Sequence, residues 1–289
     1  MTDAARFGVV VLTMGKRPEE LQRGLASVLA QRDVTMDVVV VGNSWEPTGL
    51  PDGVRGVYLP ENVGATAGRN AGVPYVSGEY LFFLDDDASL PDPHFLAEVA
   101  ARFAADPRLG VMQPRVVDPE GKAPPRRWVP RLRVGDPGAS SPATALWEGA
   151  IAIRRDLFEA VGGWPDEFFI FHEGVDLAWR VWDEGFTPWY AADLVVNHPV
   201  MDPARHAVFY RYNARNRVWL ARRNLPVLLE PVYVGTWVGM TLLRVHDKEA
   251  LTAWFGGLRE GMAHKPAGRR RMKWSTVWAM TKAGRPPII

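Results

Sequence analysis

A chain of 289 residues, 47% hydrophobic and 23% charged, is long enough for one large α/β domain plus a smaller extension, and its composition excludes a disordered or fibrous protein. The absence of cysteine excludes a disulfide framework, a thiolate metal site and a thiol nucleophile. The net charge of +1 conceals an asymmetry: residues 1–202 hold 18 Lys and Arg against 29 Asp and Glu, and residues 203–289 hold 16 against 4.

An acidic body with a basic C-terminal part points to an anionic partner for that part: a membrane surface, a phosphorylated acceptor or a nucleic acid. The N-terminus carries no basic n-region, so a signal peptide is not expected. The most apolar long stretch, 225–245, is broken by Pro226, Glu230, Pro231 and Arg244 and is not a membrane span. A cytoplasmic protein is expected.

Taken in order, FGVVVLT (7–13) reads as a buried first strand, followed by the turn Met14-Gly15-Lys16-Arg17-Pro18. Residues 19–31 place Leu21, Leu25, Val28 and Leu29 on one helical face. Strands follow at 36–41, ending Gly42-Asn43-Ser44, and at 55–59. NVGATAGRNAGV (62–73) is a glycine-rich turn opening into a helix, and its spacing matches neither the dinucleotide fingerprint nor the P-loop.

The run YLFFLDDD (80–87) is the most informative. A buried strand at 80–84 delivers Asp85, Asp86 and Asp87 where a parallel strand leaves its sheet, the place where ligands of α/β proteins collect. Three adjacent carboxylates repel one another unless a cation lies between them; they make either a metal–phosphate site or a solvated acidic turn.

A helix is expected over 91–105, a strand over 109–117, and an unpatterned Pro/Gly/Arg-rich loop over 118–145 that is long enough to act as a lid. Residues 147–155 read as a strand and 156–161 as a short helix. In FFIFHEGVDLAWR, Glu173 and Asp176 fall three apart at a helix start, as capping acids or as a functional pair. Short strands at 187–190 and 194–197 lead to His198. Beyond residue 203, helices are expected over 205–224, about 227–245 and 248–263, then a basic tail containing GRRRMKW. No nucleic-acid-binding module is recognisable, so nucleic acid is set aside as a partner.

In this order and spacing, the first strand with its TMGKRP turn, VGNS, NVGATAGRNAG, LFFLDDD, GAIAIRR…GGW, FFIFHEGVDLAWR and the final NHP resemble the family 2 inverting glycosyltransferases of GT-A fold, in particular their rhamnosyl- and galactofuranosyltransferase-like branch. The resemblance covers residues 7–199. It implies a mixed, mainly parallel sheet with flanking helices over 1–202, a basic helical extension over 203–289, and inverting transfer of a hexosyl unit from a nucleotide-diphosphate sugar, UDP- or dTDP-linked, in cell-envelope or glycoconjugate biosynthesis.

On the same resemblance Asp87 and His198 would bind Mn2+ or Mg2+, with Asp85 at the ribose or a metal-bound water. Thr13, Gly15, Arg17, Asn43, Arg69, Asn70 and the three aspartates would line the donor site; Trp147, Glu148, Gly149 and His172 would face the sugar or acceptor. Two positions depart from the family pattern. The usual base position is Gly174, which leaves Glu173, Asp176 or, third, His172 for that role, and the usual base-reading Asp after the second strand is replaced by Gly42-Asn43, where Asn43 would accept from the pyrimidine. The acceptor would be lipid-phosphate-linked or a small glycoside. The basic helices would grip it, lie on a membrane or form a homo-oligomer. The competing classes are a sugar-phosphate nucleotidyltransferase and a nucleotide-sugar-binding protein without turnover.

Overall fold

The computed structural model describes residues 4–129, 136–200 and 207–288. Short runs, most of them rich in β-branched or aromatic residues, build the sheet: β1 (Ala5–Thr13), β2 (Val34–Asn43), β3 (Val54–Leu59), β4 (Tyr80–Asp85), β5 (Leu109–Val117), β6 (Ser141–Pro142), β7 (Ala150–Arg154) and β8 (Thr187–Asn197). Their order is β3-β2-β1-β4-β7-β5-β8-β6. β1, β2, β3 and β4 are mutually parallel, β5 is parallel to β8, and β7 runs antiparallel between β4 and β5. The mixed sheet with flanking helices is the one expected.

Both faces are covered, which is why the central strands are apolar on both sides. On one face α1 (Pro18–Leu29) and α3 (Phe95–Ala105) bury Leu25 and Phe95 against Phe82 and Val9. On the other, α4 (Arg155–Ala160) and α5 (Glu173–Asp183) bury Phe158 and Leu177 against Phe83 and Val10. Full burial of Phe82 and Phe83 is worth about 1.5–3 kcal/mol each. Helix α2 (Gly64–Gly72) packs through Gly68 and Gly72; a Cβ there would lie 2.6 Å from Leu12 and from Val10 respectively. These glycines therefore seat the helix on the sheet.

A third cluster joins Phe168 and Trp179 to α6 (Ala207–Asn224), α7 (Glu230–Arg244) and α9 (Trp274–Lys282), while α8 (Lys248–Ala263) lies along α6. The expected boundary at 202/203, residues 205–206 of the expected helix and residues 130–135 of the expected lid lie outside the described residues.

Several expectations need correction. Helix α3 starts at Phe95 rather than residue 91, because Asp92 closes a turn on His94 N–H and Phe95 N–H. Trp147–Gly149 precede β7 instead of belonging to it. Residues 187–197 are one strand whose register slips between Pro114 and Arg115, so the interruption read from sequence is a bulge. The basic tail contains α9, and its arginines meet acids of the chain itself: Arg269 and Arg271 on Glu230, Arg270 on Glu184.

Candidate active site

The parallel register of β1 and β4 sets Leu12 beside Asp85. The antiparallel course of β7 brings the residues before it to the same edge: Leu84 pairs with Ala150, and Asp85 N–H donates to the Gly149 carbonyl at 2.8 Å. From the other side, Ser89 and Asn197 exchange both backbone hydrogen bonds at 2.9 Å, so the end of β8 is clipped to the segment after the aspartates. That clip delivers His198, whose Nε2 lies 3.0 Å from Asp87 Oδ1 while Nδ1–H donates to the Pro199 carbonyl. The imidazole is held edge-on between Trp128 and Trp147.

Ligand atoms of Asp85, Asp87 and His198 all lie within 4.8 Å of one another. Two hard carboxylates and one imidazole whose tautomer leaves Nε2 free for a ligand suit Mn2+ or Mg2+. Burial opposes ionisation of Asp87, but His198 and Arg17 outweigh it and hold its carboxyl below the ordinary range. Burial likewise opposes protonation of His198, yet Asp87 and Asp85 raise its pKa above the ordinary imidazole value.

Asp86 plays a different part. It accepts from Thr13 Oγ1 at 2.6 Å and meets Arg17, and Thr13 Oγ1 in turn accepts from Gly15 N–H. Desolvation, reinforced by its two neighbouring aspartates and eased by Thr13, lifts Asp86 to about 6. Thus Thr13, Arg17 and Asp86 brace the turn after β1 against the turn after β4, with Arg17 also on Asp87. Gly15 has φ +69°, and a Cβ there would meet the Trp45 ring at 2.4 Å, so an indole covers this turn.

Arg69 joins the two halves of the site. Its Nη2 donates to Asp85 at 2.8 Å, and its Nη1 lies 3.5 Å from Glu173 Oε1. Burial would depress its pKa, but Asp85, Glu173 and Glu148 raise it above the ordinary guanidinium value. Glu173 is 3% exposed, and its Oε2 has no hydrogen-bond partner. Burial, then the nearby Glu148 carboxylate, push it up to about 8 against the pull of Arg69.

Glu148 accepts from Gly174 N–H at 2.8 Å, and a Cβ on Gly174 would fall 2.4 Å from the Leu146 carbonyl and 2.7 Å from Glu148 Oε1. The space beside residue 174 is filled by a carboxylate from another element. Glycine stands at 174 for that reason.

The turn that presents Glu173 is strained. Phe169 (φ 64°, ψ −56°) is the centre of a γ-turn of the rarer hand, closed by Ile170 N–H on the Phe168 carbonyl, and Phe171 and His172 also have positive φ. Asn216 of α6 donates to the carbonyls of Phe168, Ile170 and Phe171, Arg215 donates to Phe168, and Asn213 meets His172 Nε2 at 3.0 Å. Opposite, Ala65 N–H donates to the Phe169 carbonyl at 2.6 Å, and Gly64 permits that approach. The glycine-rich segment therefore grips the turn before α5.

A cavity of about 770 Å3 opens in front of this turn, lined by Asp85, Arg69, Trp147, Glu148, Gly149 and His172 with Glu173. Residues that sequence reading missed also line it: Arg126, Phe171, Phe209, Trp237, Arg244 and Arg285. Arg126 lies in the long loop and Phe171 in FFIFHEGVDLAWR, while for the other four the hint was the aromatic and basic character of the C-terminal part.

Three expected site residues are committed elsewhere. Asp176 is 0% exposed, with Oδ2 2.5 Å from Arg180 and Oδ1 taken by Asn224 and Arg223; it ties α5 to α6 and does not line the cavity. Asn43 accepts from Val63 N–H and donates to Asn62 and Gly64, so its amide nitrogen and one lone pair of its amide oxygen are in use. Asn70 is spent on Trp164 and Asp166.

Comparison with known proteins agrees with this architecture. The family model described as Glycosyl transferase family 2 matches residues 9–162. The pre-mycofactocin glycosyltransferase of Mycobacterium tuberculosis is 27% identical over 175 residues, 58% of this chain and 34% of that protein. The chain thus spans about a third of the length of that curated relative. The mannosyltransferase PcManGT of Pyrobaculum calidifontis, solved with GDP-Man and Mn2+, superposes with a TM-score of 0.57 at 20% identity, covering 97% of this chain and 80% of its own. S. aureus TarS residues 1–349 with UDP-GlcNAc gives 0.63 at 16% identity, covering 89% and 80%. At these identities the structures establish the fold, which is GT-A.

Proposed function

The chain belongs to glycosyl transferase family 2, and on that footing we propose that it is a metal-dependent inverting glycosyltransferase moving a hexosyl unit from a nucleoside-diphosphate sugar to an acceptor hydroxyl. One observation carries the reading. Asp85, Asp87 and His198 converge within 4.8 Å, and Arg69 links that cluster to a buried carboxylate, Glu173, on the wall of a large cavity. Asp87 and His198, with Asp85 beside them, would hold Mn2+ or Mg2+, which supplies Lewis-acid stabilisation of a departing diphosphate.

Glu173 is the proposed base. Its free Oε2 takes the proton of the acceptor hydroxyl; that oxygen forms a bond to the anomeric carbon as the bond from that carbon to the diphosphate oxygen breaks, and the nucleoside diphosphate leaves with the electron pair. A raised pKa suits a base working near neutral to mildly alkaline pH. Arg69 restrains Glu173 and Asp85 together. Trp147, Glu148 and Gly149 would face the donor sugar, with Trp147 backed by the Trp128 ring.

A UDP or dTDP donor rests on the resemblance to the family. The second lone pair of Asn43 Oδ1 and the turn holding Thr13, Gly15 and Arg17, covered by Trp45, would supply the base contacts. Exposed Leu228, Leu243 and Trp278 in the C-terminal helical part support its contact with a membrane surface.

The test is incubation with UDP-, dTDP- and GDP-sugars, Mn2+ or Mg2+, and a panel of hydroxyl acceptors, following nucleoside-diphosphate release and the anomeric configuration of the product. Inversion with metal-dependent release is expected. Donor binding without turnover across the panel, or pyrophosphate release from a nucleoside triphosphate and a sugar phosphate, would overturn it.

A further inference from the structure

A smaller chamber of about 110 Å3 adjoins the main cavity and shares His172, Val175, Trp237 and Arg285 with its wall. That is room for a few waters at ~30 Å3 each, or for one small oxyanion. Arg217 of α6 reaches it. The guanidinium lies 3.3 Å from the Trp237 ring centre, and Nη1 lies 3.3 Å from the Tyr233 hydroxyl.

No carboxylate of the described residues pairs with Arg217. The neighbouring arginines of α6 differ: Arg211 and Arg215 meet Glu260, Arg222 donates to carbonyls at the end of α8, and Arg223 meets Asp176. Burial pulls the pKa of Arg217 below the ordinary guanidinium value, as expected of a cation shielded from water without a counter-charge. Arg285, from the closing segment, lines the same chamber and has no ion pair among the described residues, and Arg244 lines the main cavity alongside it. Two guanidinium groups facing one small chamber with no acid between them match the chemistry of an oxyanion, which takes their planar N–H donors in pairs.

We propose that this chamber seats an anionic group, a phosphate or a carboxylate, carried by the acceptor, with Arg217 and Arg285 as its cationic walls. The proposal rests on reading the larger cavity as the acceptor site. His172 borders both spaces and adjoins Glu173, so an acceptor anchored by its anion in the chamber presents its hydroxyl towards the proposed base. The same chemistry serves a soluble sugar phosphate, a uronate or a phosphate on a lipid carrier.

Calorimetric titration of the full chain with phenyl phosphate, glucuronate and vesicles containing phosphatidic acid tests it, using the wild type, Arg217→Gln, Arg217→Lys and Arg285→Gln. Saturable binding of at least one anion is expected, weakened ~10-fold or more in both Gln variants, as befits the loss of a charge-assisted hydrogen bond, and partly retained in Arg217→Lys. Binding of UDP or GDP with Mn2+ stays unchanged in all of them. Phenyl phosphate bound without vesicle binding identifies a soluble acceptor; vesicle binding that depends on Arg217 identifies a lipid-borne one. Either supports the chamber. No saturable binding, or equal binding in wild type and both Gln variants, overturns it, and Arg285→Gln decides if Arg217→Gln fails to fold. Anion binding that persists in a protein with no transfer activity sinks the functional reading alone.

Discussion

Replacing Gly174 by alanine sets helix propensity against packing. Alanine in a helix is better than glycine by ~0.5–1 kcal/mol, so propensity alone predicts a more stable protein. The new Cβ, however, would lie 2.4 Å from the Leu146 carbonyl oxygen and 2.7 Å from Glu148 Oε1. The first neighbour is backbone and cannot rotate away, which makes this overpacking of the kind that costs ~1–3 kcal/mol. Displacing Glu148 also weakens its hydrogen bond from Gly174 N–H, a charge-assisted contact worth ~1.5–3 kcal/mol. The net is a loss of about 3 kcal/mol, which in a protein of this size lowers Tm by ~5 °C. Thermal unfolding followed by circular dichroism without ligands reads it directly. A Tm equal to or above that of the wild type would refute the claim that position 174 is closed by Glu148 and Leu146. Glutamate or aspartate at 174 would fit worse still, so one substitution does not restore the family's usual acid.

Other outcomes follow from the same geometry. The proposed base must be ionised, so kcat/KM rises with pH through a midpoint near 8; in Glu148→Gln, removal of a neighbouring negative charge moves that midpoint to lower pH, and an unchanged midpoint argues against the pairing. His198→Ala or Asp87→Asn weakens Mn2+-dependent nucleotide binding by ~10-fold or more in calorimetry, and chelation of the metal does the same to the wild type. Asp176→Asn leaves Arg180 and Arg223 without their buried counter-charge and destabilises the protein by ~3–5 kcal/mol, while the folded fraction keeps its turnover; loss of turnover in fully folded variant would return Asp176 to the chemistry. Asn216→Ala removes three hydrogen bonds to the strained turn, at ~1 kcal/mol each, and lowers kcat more than it changes the donor KM.

The sheet was legible because its strands are dense apolar runs, and the aspartate edge because three carboxylates follow such a run. Direction was not legible: nothing in AIAIR says that β7 runs antiparallel, yet that course is what sets Gly149 beside Asp85. Side-chain commitments were harder to see. Asn43 and Asn70 have the chemistry of ligand contacts, and only the fold reveals that nearby backbone has already taken part of it. Gly174 looked like a missing acid because its occupant, Glu148, arrives from 26 residues earlier in the chain. The basic tail looked free because Glu184 and Glu230, which neutralise much of it, are distant in sequence.

The clamp of Asn216 on the turn before α5 also has a meaning in time. The carbonyls it holds belong to residues 45 to 48 positions earlier, so they emerge from the ribosome well before their restraint exists. At ordinary synthesis rates the gap is ~2–10 s. During that interval the sheet and the aspartate edge can already form, while the positive-φ residues Phe169, Phe171 and His172 have no α6 to keep them in place. A nascent chain would therefore acquire its aspartate edge first and align Glu173 last, so that a ligand captured early at that edge would meet no ordered Glu173 carboxylate until α6 has docked.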